Sequence, residues 1–203
     1  MTEWLAAHWT EVLGFATGAA CVLLAALRNI WTFPIGIANS IVFAVLFFDS
    51  ALYADAGLQL VYLVLGVQGW MIWARNPGAV RHDALAIRRT PARAIPWLIA
   101  GAVAGTAVLA WLLNSFTDST TELADAGTTA VSLVAQVMLN RRWIETWVVW
   151  IAVDVAYIGL YAVKGLWITA GLYLLFIGLC AFGLRSWMRA RAERPSLAER
   201  VAA

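Results

Sequence analysis

The sequence predicts an all-α integral membrane protein of seven transmembrane helices, built as two parallel three-helix repeats joined by a connector helix. Three observations carry this prediction. The 203 residues are 63% hydrophobic and 13% charged, with a mean hydropathy of +0.78, whereas a soluble domain carries about 25% charged residues. Thirteen of the fourteen Lys and Arg fall on one side when successive connections are assigned to alternate faces of a bilayer. The chain also matches itself at a shift of 114 residues.

A helix needs about 20 residues to cross a hydrocarbon core of roughly 30 Å. Apolar runs of that length occur at 9–27, 31–49, 52–74, 95–114, 122–140, 143–163 and 165–187. Arg28, Asp49-Ser50, Arg75 to Pro96, Asn114 to Asp118, Arg141-Arg142 and Lys164 punctuate them. The runs are too long and too continuously apolar for outer-membrane strands. No basic residue precedes the first run between Met1 and Glu11, so it does not read as a cleaved signal peptide. Lys164 alone lies on the side of the N-terminus. The opposite side holds Arg28, then Arg75 to Arg93, then Arg141 and Arg142, then the tail arginines from Arg185 onwards. The bias of basic residues toward the cytoplasm puts the N-terminus outside and the C-terminus inside.

The shift of 114 aligns 28–75 with 142–189 without a gap, with fifteen identities in 48 pairs. Hydropathy accounts for many of the apolar identities but not for Arg28/Arg142, Gly69/Gly183, Trp73/Trp187 or Arg75/Arg189. Repeat one then covers about 9–75, the connector helix about 95–114, repeat two about 122–189, and a basic tail 190–203. Four spans separate each helix from its equivalent, so the repeats cross in the same direction. Parallel repeats enclose a site at their interface near the midplane, and rocking one against the other gives alternating access.

Polar groups at membrane depth are costly and need a partner, water or a ligand. Asp154 is the only carboxylate deep in a span. Trp147, Trp150, Asp154, Tyr157 and Tyr161 recur at spacings that place them along one helix face. Two indoles and two phenols around one acid suit a flat, cationic ring, which aromatic faces stack on and a carboxylate balances. In the packing alternative Asp154 is protonated or bonded to a neighbouring Tyr, and the tryptophans pack against helices. Asn39 and Ser40 occupy the centre of the second span, Ser40 being the repeat partner of Asp154. Gln59 and Tyr62 share a face of the third span, and Gln68 points roughly the opposite way, so one of the two faces looks into the pathway. Thr129, Ser132 and Gln136 form a polar stripe in the fifth span. Such amides and hydroxyls suit ribose or a carboxamide, and equally serve helices bonding one another in lipid. Trp4, Trp9, Trp31, Trp70, Trp73, Trp97, Trp143, Trp167 and Trp187 lie near span ends and read as an interfacial belt.

No catalytic constellation, cofactor motif or metal site is legible. His8 and His82 lie outside the spans, Cys21 and Cys180 read as small buried hydrophobes, and no Gly-rich phosphate loop is present. The scattered basic residues make no nucleic-acid face and read as topogenic and lipid-headgroup contacts. A homo-oligomer is left open.

The stretch Asn29-Ile-Trp-Thr-Phe-Pro-Ile-Gly-Ile-Ala-Asn39, Phe47-Phe48, Leu52-Tyr53-Ala54-Asp55 and Gly69-Trp70-Met71-Ile72-Trp73 resembles the PnuC family of bacterial vitamin transporters. So does the second half, through Trp147-Val-Val-Trp150-Ile-Ala-Val-Asp154, Leu160-Tyr161, Lys164-Gly165-Leu166, Leu172-Tyr173 and Gly183 to Trp187. The resemblance implies uptake of nicotinamide riboside across the inner membrane by facilitated diffusion, with trapping by a separate cytoplasmic kinase. It implies an architecture similar to the SWEET sugar transporters, with a different helix order in each bundle. In the family a Trp-x-x-x-Asn/Asp pair contributes to the nucleoside site, matching Trp150 and Asp154; here the second residue is Asp where Asn is the more familiar choice. Relatives carry thiamine or riboflavin, which are the alternative cargoes. A non-transporting membrane subunit is the alternative of another class.

Overall fold

The computed structural model describes residues 2–49, 53–75, 86–116, 122–163 and 167–193. These residues form seven α-helices: α1 Thr2–Ala26, α2 Thr32–Asp49, α3 Tyr53–Ala74, α4 Ile95–Phe116, α5 Glu122–Asn140, α6 Thr146–Val163 and α7 Trp167–Ala192. Helix α1 begins earlier and α7 ends later than the apolar runs, the latter carrying Arg189 and Arg191 in its last turn. Lys164, Arg81, His82 and the tail beyond Glu193 lie outside the described residues.

Five segments, 32–49, 56–74, 92–115, 146–163 and 170–192, are long and apolar enough to cross a membrane. The chain is therefore a multi-pass membrane protein. Two helices of the seven expected spans fall short on this measure. Among the described residues α1 offers the shorter apolar stretch Leu13–Ala26. Helix α5 is diluted by Thr128, Thr129, Ser132, Gln136 and Asn140, and Ser132 and Asn140 are buried inside the protein, away from lipid.

The helices close into a ring. Helix α2 packs between α1 and α3, α6 packs between α5 and α7, and the two sets meet where α1 touches α7 and α3 touches α5. Helix α4 packs on the outside against α5. The seams are polar. Asn140 Nδ2 donates to the Leu65 carbonyl at 2.8 Å, tying α5 to α3. Ser186 Oγ and Trp187 Nε1 donate to the carbonyls of Ala26 and Ala25 at 3.0 and 3.1 Å, tying α7 to α1.

Within each half, the corner between the first two helices has one construction. Arg28 and Arg142 are the described non-glycine residues with positive φ, both at 60°. Each sits just past a helix end, where a left-handed residue lets the chain turn and recover the last carbonyls. Arg28 N bonds Ala25 O and Asn29 N bonds Leu24 O; 114 residues later Arg142 N bonds Leu139 O and Trp143 N bonds Met138 O. Thr32 Oγ1 then donates back to the Cys21 carbonyl at 3.0 Å, and Thr146 Oγ1 to the Ala135 carbonyl at 2.8 Å. The next residue of each corner, Phe33 or Trp147, packs its ring against a glycine of the third helix, Gly69 or Gly183. Helices α1 and α5 end, α2 and α6 begin and end, and α3 and α7 begin at positions 114 residues apart.

The core gathers at the end of the ring that carries these corners. Phe33, Trp73, Trp147 and Trp187 form one aromatic cluster, with Phe33 edge-on to Trp73 at 5.0 Å and Trp147 edge-on to Trp187 at 5.4 Å. Trp73 and Trp187 are 0% exposed, so these two are core residues and not the interfacial belt that their positions near span ends suggest. Their burial follows from the ring, which brings the ends of α3 and α7 together across the axis.

A strap outside the spans braces the second corner. Arg88 exchanges two backbone hydrogen bonds with Arg142 and Ile144, at 3.0 and 2.9 Å. Glu145 Oε2 accepts from both the backbone N–H and the hydroxyl of Thr90, each at 2.8 Å. Burial alone would raise the Glu145 carboxyl; the two Thr90 bonds and the nearby Arg89 charge outweigh it and hold the group below the ordinary glutamate range.

Two expectations follow. Gly183→Ala would put a methyl 2.6 Å from the Trp147 ring, and Gly69→Ala would strike Phe33 and Asn140, whereas Gly171 has open space around it. Thermal melts in detergent should show both tight-site variants destabilised by about 1–3 kcal/mol and Gly171→Ala unchanged. A carboxyl depressed by folding contributes stability that is fully present above its unfolded value of about 4.3 and is lost as pH falls through its lower folded value. Glu145→Gln should therefore flatten the acid side of the melting temperature against pH; an unaltered acid slope would show that the strap bonds contribute nothing there.

Candidate functional site

The ring encloses a cavity of about 390 Å³, within the range of small-molecule sites. Each of the six ring helices contributes to its wall: α1 through Gly18 and Cys21, α2 through Gly36, Asn39 and Ser40, α3 through Gln59 and Tyr62, α5 through Ser132 and Gln136, α6 through Trp147, Trp150, Asp154 and Tyr157, and α7 through Tyr173, Phe176 and Cys180. Helix α4 contributes nothing to it. Phe33 and Trp147 of the aromatic cluster form its floor at the corner end, with Trp73 and Trp187 packed against them.

Helix α6 supplies the face that defines the site. Trp147, Trp150, Asp154 and Tyr157 follow the helical repeat, so one stripe of α6 lines the cavity from floor to upper wall. Asp154 is 5% exposed, and the hydrogen bond found at its carboxylate comes from the Cys180 thiol to Oδ2, at 3.7 Å. The Tyr partner of the packing alternative is not what holds it. Among the described residues lining the cavity there is no Lys, Arg or His. The Asp154 carboxyl group thus stands in a low-dielectric chamber without a basic partner among those residues.

The opposite wall is small and polar. Gly36 on α2 leaves room across from the α6 stripe, and Asn39 Oδ1 is buried without a hydrogen-bond partner. Trp147 Nε1 is likewise buried and unpartnered. A buried polar atom without a partner is costly, so these are an acceptor and a donor that a ligand hydroxyl or carboxamide can satisfy. Gln136 Nε2 donates to Asn140 Oδ1 at 3.1 Å, which fixes the orientation of its amide.

The sequence-derived residues divide clearly. Trp147, Trp150, Asp154, Asn39, Gln59, Tyr62, Gln136 and Tyr157 meet in this cavity. Gln68 is exposed on the other side of α3, so the Gln59 face is the one that looks inward. Tyr161 does not line the cavity; it stacks behind it on Tyr157 and Tyr173, at 5.9 and 5.4 Å. Thr129 does not line it either, whereas Ser132 does. Tyr173, Phe176 and Cys180 are wall residues that the sequence reading passes over. The repeat register points to each of them, since they are the counterparts of Gln59, Tyr62 and Gly66.

Residues 8–189 match the model of the family described as Nicotinamide mononucleotide transporter. Nicotinamide riboside transporter PnuC of Escherichia coli (strain K12) is 25% identical, over 94% of this chain and 89% of its own length. Riboflavin/roseoflavin transporter RibM of Streptomyces davaonensis is 26% identical, over 93% of this chain and 90% of its own. Among solved structures, the crystal structure of the vitamin B3 transporter PnuC is similar in fold, with a TM-score of 0.71 at 23% identity, covering 93% of this chain and 84% of that one.

The two faces of α3 give a test that needs no knowledge of the chemistry carried. Gln59→Ala should weaken ligand binding about fivefold by calorimetric titration, the net worth of one hydrogen bond, and Gln68→Ala should leave it unchanged. The reverse pattern would turn α3 around.

Proposed function

The chain belongs to the nicotinamide mononucleotide transporter family, and from that premise we propose that it carries nicotinamide riboside across the bacterial inner membrane by facilitated diffusion. The observation that supports this cargo most is Asp154 one turn from Trp150, in a cavity whose described lining holds no basic residue. An unpaired charge at the centre of a span costs about 3 kcal/mol on insertion scales. A pyridinium ring brings the opposite charge with it. Trp150 stacks the cationic ring, Asp154 faces its charge or the ribose hydroxyls, and Asn39, Gln59 and Gln136 offer hydrogen bonds to ribose and carboxamide. The same lining argues for the nucleoside over the phosphorylated mononucleotide of the family description: a phosphate would meet a carboxylate and no cation.

In this reading the helix ring is two three-helix repeats in parallel, joined by α4 in a 3+1+3 plan like that of the SWEET sugar transporters, with seven spans in all. The basic ends lie in the cytoplasm, with the N-terminus outside. Rocking of α1–α3 against α5–α7 exposes the cavity to either side in turn. The cargo crosses unchanged, without cofactor, metal or coupling ion, and phosphorylation by a separate cytoplasmic kinase retains it.

Riboflavin is the second reading, favoured by the likeness to RibM. Its neutral ring system gives Asp154 no counter-charge.

Calorimetric titration of the detergent-purified protein tests the assignment, with thiamine, riboflavin and nicotinamide as competitors. Nicotinamide riboside should bind, and Asp154→Ala or Trp150→Ala should weaken it about tenfold, the loss expected for one buried charge or stacking contact, while the melting profile stays cooperative. Unchanged affinity in both variants would remove the site. Binding of riboflavin in preference to the riboside would overturn the cargo and keep the cavity.

A further inference from the structure

A second cavity, of about 550 Å³, lies outside the ring where the start of α6, the end of α7 and the strap at 86–90 converge. It shares no lining residue with the central cavity. Arg89 comes to it from the strap and Arg191 from the last turn of α7, while Val148, Leu184 and Met188 form an apolar wall. Glu145 is the one acid among its described lining residues, and its Oε2 is already engaged by both Thr90 bonds. We propose that this cleft is a binding site for an anionic phospholipid, whose phosphodiester headgroup lies between Arg89 and Arg191 and whose acyl chain runs along Val148, Leu184 and Met188.

Charge and depth both select this occupant. Arg191 lies at the end of the apolar segment 170–192 and Arg89 three residues before the segment 92–115, and basic pockets at such helix ends attract anionic lipids. The apolar wall continues onto the outer surfaces of α6 and α7, with Val148 54% and Met188 48% exposed. A soluble anion would use the arginines and leave that wall idle; an amphiphile uses both. The site adjoins the corner that the strap braces, since Ile144 and Glu145 belong to the cleft, the corner and the strap bonds alike. This inference does not depend on the identity of the cargo.

Native mass spectrometry of the full-length protein, equilibrated with equal amounts of phosphatidylglycerol and phosphatidylcholine, tests it. The wild type should retain phosphatidylglycerol selectively, and Arg89→Gln with Arg191→Gln should lower the retained fraction by about fivefold for each arginine removed. Arg141→Gln, exposed at the same end of the ring but outside the cleft, should retain it as the wild type does. If the double variant does not fold, Arg191→Gln alone carries the test, because that residue is exposed at the end of α7. Equal retention of the two lipids, or undiminished retention by the cleft variants, would overturn the proposal. Displacement of the lipid by inorganic phosphate would reduce the cleft to a simple anion site and would also overturn it.

Discussion

The structure depends on how the backbone turns at two corners. Each helix end leaves backbone carbonyls without an intrahelical partner, and these must be recovered. The chain meets this at Arg28 and Arg142 with a left-handed residue, recovered carbonyls and a threonine hydroxyl returned to the preceding helix. That construction holds α1 against α2 and α5 against α6. It also aims Phe33 and Trp147 at glycines on the third helix of each half. The floor of the central cavity and the start of the α6 stripe follow directly, because Trp147, Trp150 and Asp154 are counted off from Thr146. A left-handed arginine costs about 1–2 kcal/mol relative to a right-handed conformation, and its presence twice, at equivalent positions, marks how much of the architecture rests on it.

The two corners are alike, but residues 114 positions apart differ in chemistry around the cavity. Gly36, Ser40, Phe43 and Gln59 in the first half correspond to Trp150, Asp154, Tyr157 and Tyr173 in the second. At these positions the second half holds an indole, an acid and two phenols where the first half holds a glycine, a serine, a phenylalanine and an amide. The strap at 86–90 is asymmetric too: it braces the Arg142 corner through Glu145, whose counterpart in the first half is Trp31.

Much of this was legible in the sequence, for physical reasons. Continuous apolar runs give the helix ends within a few residues except the start of α1 and the end of α7, which are more polar, and the shift of 114 pairs them. Helical periodicity put Trp147, Trp150, Asp154 and Tyr157 on one face and separated Gln59 from Gln68. It could not say which face of α3 looks inward, since that depends on which neighbour the helix packs against. Trp73 and Trp187 read as interfacial from the sequence, because position along a span does not reveal how close two helix ends come across an axis. The left-handed arginines were hidden because the usual signal there is glycine. Cys180 reads as a small hydrophobe in any single span, and only its meeting with Asp154 makes it part of the site. The strap joins residues more than fifty positions apart, a contact that no local pattern announces.

The central claim is that a cavity charged by Asp154 and walled by Trp150 moves a cationic nucleoside passively. Counterflow of labelled nicotinamide riboside into proteoliposomes measures this most directly. The account predicts flux well above empty liposomes, unaltered when proton and sodium gradients are collapsed, and suppressed by excess unlabelled riboside but not by the mononucleotide. Flux no faster than in empty liposomes, or flux that requires an ion gradient, would contradict it.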